Sequence, residues 1–321
     1  MTAMLEICFL NVGDGDAILL REIADGKEEF SVLVDAGRPF LEPANGSLRK
    51  EAYDHLRGLG VTRLDLMILT HLHIDHIGGA QRILREIPVK ELAALTLPPR
   101  DAGYVQPDLH STDKTTNGLR MMLNLFRETM GAAEKTGCRV RTLPEGRVKL
   151  TDRLMMTVYH PRTEVKERQK AVFDDLYLGK EVDYDLLYKT AKERNISSLM
   201  TQFDYAGRSV LLTGDRFGAD WEEERKEPCD VLKLPHHGDG KSMTPALLQT
   251  LSPKIAVISC QNDPNPQKKR PEEETAALFK KCVPKVFCTE NRQLKAMDAS
   301  THNLIRVTID DHGGMNCRAE D

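Results

Sequence analysis

The sequence predicts an α/β fold, and three observations carry that prediction. Short apolar runs recur along the chain, each closing on a polar or glycine-containing turn. Segments with helical apolar spacing separate several of them. Two strand-rich halves lie on either side of a charged middle region, consistent with two stacked sheets. With 321 residues, 40% hydrophobic and 29% charged, the chain has enough apolar material for a large core, and general disorder is excluded.

The elements follow in order. Residues 5–10 and 17–21 read as strands flanking Asn11-Val12-Gly13-Asp14-Gly15-Asp16, whose glycines permit a tight turn. Residues 30–37 and 64–70 are buried strands with polar residues at one edge. A helix is expected over 47–59 between them, and another over 79–87. A helical run lies within 107–137, then strands at 139–143 and 154–159. The stretch 164–194 is strongly charged, poor in strand formers and reads as helical. Strands return at 198–205 and 209–212 around the turn Ala206-Gly207-Arg208, then at 230–234 and 254–259, with a helix over 272–281. No repeat is present, so residues 1–321 are expected to form a single domain with a charged, mainly helical insertion around 101–192.

No apolar run of about 18 residues occurs, and the start Met1-Thr2-Ala3-Met4-Leu5-Glu6 lacks the features of a signal peptide. A cytoplasmic protein without a membrane partner is expected. Seven cysteines without a C-x-x-C pair read as reduced thiols. A net charge of −4 argues against a globally basic nucleic-acid binder but leaves room for a local basic rim.

The chemistry concentrates in Thr70-His71-Leu72-His73-Ile74-Asp75-His76-Ile77-Gly78-Gly79, where three of the ten histidines and one carboxylate fall within six residues. Alternation puts His71 and His73 on one side of an extended segment, while Asp75 and His76 open the next helix and point to a neighbouring metal position. Nitrogen and oxygen donors without thiolate suit Zn²⁺, and also Mn²⁺ or Fe. Asp215, after an apolar strand and a glycine, can reach a crevice at the sheet edge and bridge two metals, although Gly-Asp taken alone reads more readily as a turn. His236 and His237 follow another strand, and extended neighbours face opposite ways, so one of the two is expected at the site. His160 ends a predicted strand; the isolated His55, His110, His302 and His312 carry no functional reading.

Taken together, His71-x-His73-x-Asp75-His76, Gly214-Asp215 and a late histidine resemble the metallo-β-lactamase superfamily of hydrolases. Asn11-Val12-Gly13-Asp14-Gly15-Asp16-Ala17, Val34-Asp35-Ala36-Gly37, Leu211-Leu212-Thr213-Gly214-Asp215 and Leu232-Lys233-Leu234-Pro235-His236-His237-Gly238 look, more narrowly, like the soluble hydrolase domain of ComEC-type competence proteins. The resemblance implies an αββα sandwich of two mixed β-sheets flanked by helices, holding one or two Zn²⁺ or Mn²⁺ ions per chain. It implies His71, His73, Asp75, His76, Asp215 and His236 as metal ligands, and Asp35 as a hydrogen-bond partner to one of them. Asp75, His236 and His237 are the implied catalytic residues; Asn195, Lys233 and Arg270 lie around the metal or substrate. Asn195 stands near where the superfamily usually supplies a third histidine, and Arg270 precedes Pro271 where the narrower pattern tends to carry one. Asn11 and Asp14 stand where that pattern favours Asp and Gln.

The expected function is a metal-dependent phosphodiesterase or nuclease. It would act on nucleic acid or nucleotides through a metal-bound hydroxide, with His236 or His237 donating a proton to the leaving oxygen. Arg270, with Lys268 and Lys269, can neutralise phosphate. The alternatives are a lactone, ester or amide hydrolase, or a nucleotide- or partner-binding module on a degenerate metal site with 164–194 as its interface or lid.

Overall fold

The computed structural model describes residues 2–41, 46–109, 112–223, 227–262 and 270–321. Strands β1 (Ala3–Leu10), β2 (Ile18–Ala24) and β3 (Lys27–Val34) form an antiparallel meander. Helix α1 (Ala52–Gly58) then leads to β4 (Leu64–Leu69), the single turn α2 (Ile74–Ile77), α3 (Ala80–Glu86), β5 (Val89–Ala94), the long α4 (Lys114–Lys135) and β6 (Arg139–Thr142). β3 to β6 run parallel. The second half holds β7 (Gly146–Lys149), β8 (Leu154–Tyr159), α5 (Thr163–Tyr177), α6 (Tyr184–Lys192), β9 (Met200–Tyr205), β10 (Arg208–Leu212) and β11 (Val231–Lys233). It continues with α7 (Pro245–Leu251), β12 (Ile255–Ile258), α8 (Glu273–Cys282), β13 (Lys285–Cys288), the short pair β14 (Glu290–Asn291) and β15 (Ser300–Thr301), and the hairpin β16 (Leu304–Asp310) and β17 (Met315–Glu320).

Among the described residues the first sheet has the order β17-β16-β1-β2-β3-β4-β5-β6 and the second β13-β12-β11-β10-β9-β8-β7. The parity of the strands explains how they stack. Leu5, Ile7 and Phe9 of β1 and Leu66 and Ile68 of β4 share a core with Phe203, Val210, Leu212, Ile255 and Val257 of the second sheet. The alternate residues Cys8, Leu10, Met67 and Leu69 face α1, α3 and α4, while Leu211, Leu232, Ala256 and Ile258 face α7 and α8. Central strands therefore bury both faces, which is why they read as nearly continuous apolar runs. The layers are helix, sheet, sheet, helix, as expected.

Helices α5 and α6 account for the charged stretch: Val172, Phe173 and Leu176 of α5 and Leu187 and Ala191 of α6 pack with Leu119, Leu123 and Phe126 of α4. The Tyr177 hydroxyl donates to the Leu123 carbonyl at 2.7 Å. One helix start and one group of strands differ most from the sequence expectation. The first helix starts at Ala52 and not at 47, because the Lys50 N–H is taken by the Asn11 carbonyl and the Ser47 hydroxyl by Glu290. No strand beyond 281 is expected from the sequence, yet β16 alternates cleanly, with Ile305, Val307 and Ile309 in the inter-sheet core between the less buried Arg306 and Thr308.

Candidate metal centre

Parallel strands bring their carboxyl ends to one edge of the sandwich, and both sheets contribute. In the turn between β1 and β2, Gly15 packs on the histidine motif so closely that an added Cβ would stand 2.3 Å from the Asp75 carbonyl oxygen. Only glycine permits that approach. It lets the Asp16 N–H reach the same carbonyl at 3.2 Å and places Asp16 in the interior. Directly after β3, Asp35 has a left-handed φ of 60°, a strained value that Asp tolerates better than most residues. Its carboxylate accepts from the Thr70 N–H at 2.8 Å and hydroxyl at 2.7 Å, and meets His76 Nδ1 at 2.8 Å. Asp35 thus fixes the His76 ring with Nε2 turned to Asp215, 3.2 Å away.

His71 and His73 follow β4 with His71 Nε2 and His73 Nδ1 3.0 Å apart, and His71 Nε2 lies 3.7 Å from Asp215 Oδ2. Asp215, from the end of β10, is the meeting point of the two halves. After β11, His236 and His237 have φ values of 47° and 55°. Their backbone is a tight left-handed turn and not an extended strand, so the expectation that one ring must face away loses its premise; the two imidazole centroids are 6.1 Å apart. His237 Nε2 lies 3.7 Å from both Asp75 Oδ2 and Asp215 Oδ2, and its Nδ1 meets the Ser259 carbonyl at 3.0 Å. His236 sits beside Asn195, with Nε2 3.1 Å from the Asn195 amide nitrogen and Nδ1 3.5 Å from Asp239 Oδ2.

The donors fit a metal. Among the described residues, His71, His76 and Asp215 form one group able to share an ion, and Asp75, His76 and His237 a second; His237 belongs to such a group and His236 does not. His76 Nε2, His237 Nε2 and both Asp215 oxygens are buried without a hydrogen-bond partner. Leaving four such atoms orphaned in one spot is costly unless an ion completes them. A third group, Asp16, Asp35 and His76, is different: Asp35 is already saturated by Thr70 and His76, and Asp16 is in direct contact with Lys233. Those groups orient the donors. Lys233 is fully buried, gives a hydrogen bond to the Gly214 carbonyl at 3.1 Å and stands 3.8 Å from Asp215 Oδ1.

Electrostatics separates the histidines. Burial holds His71 and His73 well below the ordinary imidazole range and His237 down to about 3, so their approaches to Asp215 are not ion pairs and their nitrogens are free of the proton a metal would have to displace. Burial also works against a charge on His76, but Asp215 and Asp35 outweigh it and hold that imidazole well above its usual value. For Asp215, burial is overcome chiefly by His76, whose charge and hydrogen bond keep the carboxyl well below the normal carboxylate range. Burial pushes Asp75 up, and Asp16 up to about 6 against the pull of Lys233.

A pH dependence follows from His76. Because its folded pKa is raised, its pairing stabilises the metal-free protein fully below the unfolded value, about 6.5, and that contribution fades as pH rises through the folded value. Metal affinity runs the other way, since the ion needs a neutral imidazole. Calorimetric titration with Zn²⁺ at pH 7 in buffers of different ionisation enthalpy is expected to show about one proton released per chain; no release would contradict a protonated His76.

Arg270 lies near Asp239, 3.8 Å away, and acts on His236; Lys268 and Lys269, expected with it, lie outside the described residues, as does His110. His160 points elsewhere, its ring held between the Leu143 carbonyl at 2.7 Å and Lys166 at 3.0 Å. His55 is a structural residue on the Asn11 carbonyl. Sequence reasoning missed Asp16, although it lies in the glycine-rich turn it singled out. It also missed Arg38, whose Nη2 is 3.5 Å from Asp14 Oδ2 and 4.0 Å from Asp75 Oδ2.

Residues 10–102, spanning β1 to β5 with the histidine motif, match the model of the Metallo-beta-lactamase superfamily. The chain has the metallo-β-lactamase fold. Over 268 residues it is 26% identical to ComE operon protein 3 of Bacillus subtilis, covering 79% of this chain and 28% of that protein. The chain therefore spans little more than a quarter of the curated relative it matches. Among solved structures, the metallo-beta-lactamase fold protein YhfI from Bacillus subtilis superposes with a TM-score of 0.50 at 11% identity, covering 89% of this chain and 96% of that one. A putative metal-dependent hydrolase from Parabacteroides distasonis gives a TM-score of 0.46 at 14% identity, covering 91% and 94%. In this metallo-β-lactamase fold, no helix among the described residues is long and apolar enough to cross a membrane.

Proposed function

We propose that the protein is a metal-dependent hydrolase of phosphodiesters, acting on nucleic acid or nucleotides. The observation that carries the hydrolase reading is the convergence of orphaned buried donors from His76, His237 and Asp215, with His71 and Asp75 alongside. One or two divalent ions held there, Zn²⁺ or Mn²⁺, would polarise a substrate oxygen and make water a competent nucleophile near neutral pH. The preference for phosphodiesters is supported by the guanidinium groups around the site, Arg38 beside Asp75 and Arg270 beside His236, which suit phosphate oxygens. The resemblance to competence-protein hydrolase domains favours the same substrate class.

Within this reading the chain's own residues divide the work. His71, His73, Asp75, His76, His237 and Asp215 hold the metal, Asp35 fixes His76, and Lys233 with Asp16 orients Asp215. His236, on the Asn195 and Asp239 side, is the imidazole left to meet the substrate and pass a proton to the leaving oxygen. The test is elemental analysis of protein purified without chelator, with cleavage of single-stranded DNA measured in added Mn²⁺ or Zn²⁺. One to two metals per chain with cleavage is expected. No bound metal and no cleavage would favour a binding module; metal with turnover of esters or lactones alone would move the substrate to a carbonyl.

A further inference from the structure

The turn that follows α6, residues 193–197, carries a charge that no ligand set or motif explains. Its backbone is pinned from the helical insertion. Glu193 is paired with Arg168 of α5, and the Ser197 hydroxyl donates to the Arg194 carbonyl at 2.7 Å while accepting from Gln169 of α5 at 2.8 Å. The same turn borders the metal centre. Asn195 is 3.1 Å from His236, the Ser198 hydroxyl accepts from the Asp215 N–H at 3.3 Å, and the Leu199 N–H donates to the Thr70 carbonyl at 2.9 Å.

Between these anchors stands Arg194, partly buried, its Nε donating to the Ala191 carbonyl at 2.8 Å and its Nη1 passing over Gly118 of α4. Its charge acts on both His73 and Asp75. Among the described residues no carboxylate pairs with it at ion-pair distance, in contrast to Arg38, Arg168 and Arg270, which each have an acidic partner. A partly buried guanidinium with its Nε fixed, two terminal nitrogens left and no carboxylate at ion-pair distance among the described residues is a cation open to an anionic ligand beside the candidate metal centre.

We propose that Arg194 is the substrate-phosphate anchor, taking the non-bridging oxygens of the phosphate next to the metals, and that the insertion of α5 and α6 exists at this point to hold it there. This rests on the phosphodiester reading above. The residue is a specificity determinant: it recognises the anion, so its loss appears in substrate affinity and not in metal loading. Lysine replaces it poorly, because an ammonium cannot offer two parallel N–H donors to phosphate.

The test compares the metal-loaded wild-type chain with Arg194→Ala, Arg194→Lys and, as a control that removes a neighbouring exposed charge at the end of α6, Lys192→Ala. With bis(p-nitrophenyl) phosphate, Arg194→Ala is expected to raise KM about 10- to 100-fold, the range for a charged hydrogen-bonding pair. Its kcat should change less than KM, its metal content should stay at the wild-type level, and Arg194→Lys should lie in between. Lys192→Ala should leave KM within about twofold. Binding of thymidine 5′-monophosphate, measured by calorimetry without any turnover, should weaken in parallel. Unchanged nucleotide binding by Arg194→Ala, or no nucleotide binding by the wild type, overturns the anchor. Nucleotide binding that depends on Arg194 without phosphodiester turnover leaves the anchor standing and sinks the phosphodiesterase reading.

Discussion

Asp215→Asn is expected to reduce hydrolysis by at least about 1,000-fold, the equivalent of about 4 kcal/mol in the barrier, and to strip most of the metal. Among the described residues, the carboxylate is the one group within 3.7 Å of imidazole nitrogens from His71, His76 and His237. These come from the end of β4, from α2 and from the turn after β11, so Asp215 ties both halves of the donor set together. An amide keeps the shape but removes the charge and offers the metal a much weaker donor. It also releases His76 from one of the two carboxylates that hold its proton, so proton release on metal addition should fall as well. Elemental analysis, turnover and circular dichroism on the same preparation check the prediction. Full metal content with wild-type turnover would remove Asp215 from the centre.

Lys233→Met should act mainly on stability. The ammonium is fully buried, in contact with Asp16 and 3.8 Å from Asp215 Oδ1. Methionine fills a similar volume but leaves the Asp16 carboxylate facing Asp215 with its cation gone. Removing one partner of a buried ion pair costs about 3–5 kcal/mol, and here the remaining charges repel. The expected result is a loss of that order in urea denaturation of the metal-free protein, with a large part recovered when Zn²⁺ supplies the missing positive charge. If metal-free stability changed by less than about 1 kcal/mol, the contact between Lys233 and Asp16 could not be the ion pair argued for.

Much of the site was legible because its signals are local. The histidine motif compresses four donors into six residues, and the strands that deliver them are buried on both faces, so their apolar runs stand out. Asp215 was legible only by position, after a strand and a glycine; its proximity to three histidines is tertiary. Strand alternation does not describe the His236 and His237 pair, because the two residues adopt left-handed φ values in place of an extended backbone. Asp16 and Lys233 are 217 positions apart, and nothing local tells either that its counter-ion will come from the opposite sheet. Arg194 sits in a stretch whose charge density reads as a solvated helix, and only the pinning of its turn by α5 separates it from its neighbours. The strands after 281 were missed although they carry a period-two signal: Ile305, Val307 and Ile309 alternate with Arg306 and Thr308, and Met315, Cys317 and Ala319 with Asn316, Arg318 and Glu320.

The pairing of β1 with β16 sets a schedule for folding. Leu10 lies opposite Leu304, and Met4 opposite Asp310, so the partner of the first strand is synthesised almost 300 residues after it. At about 5–20 residues per second, a nascent chain would wait roughly 15–60 s with that hydrogen-bonding edge uncovered. During this interval the apolar β1–β2–β3 meander is open to pairing with another chain. Yield of the native protein should therefore depend on translation rate and on whatever shields this edge in the meantime, even though the folded molecule has the edge covered by β16.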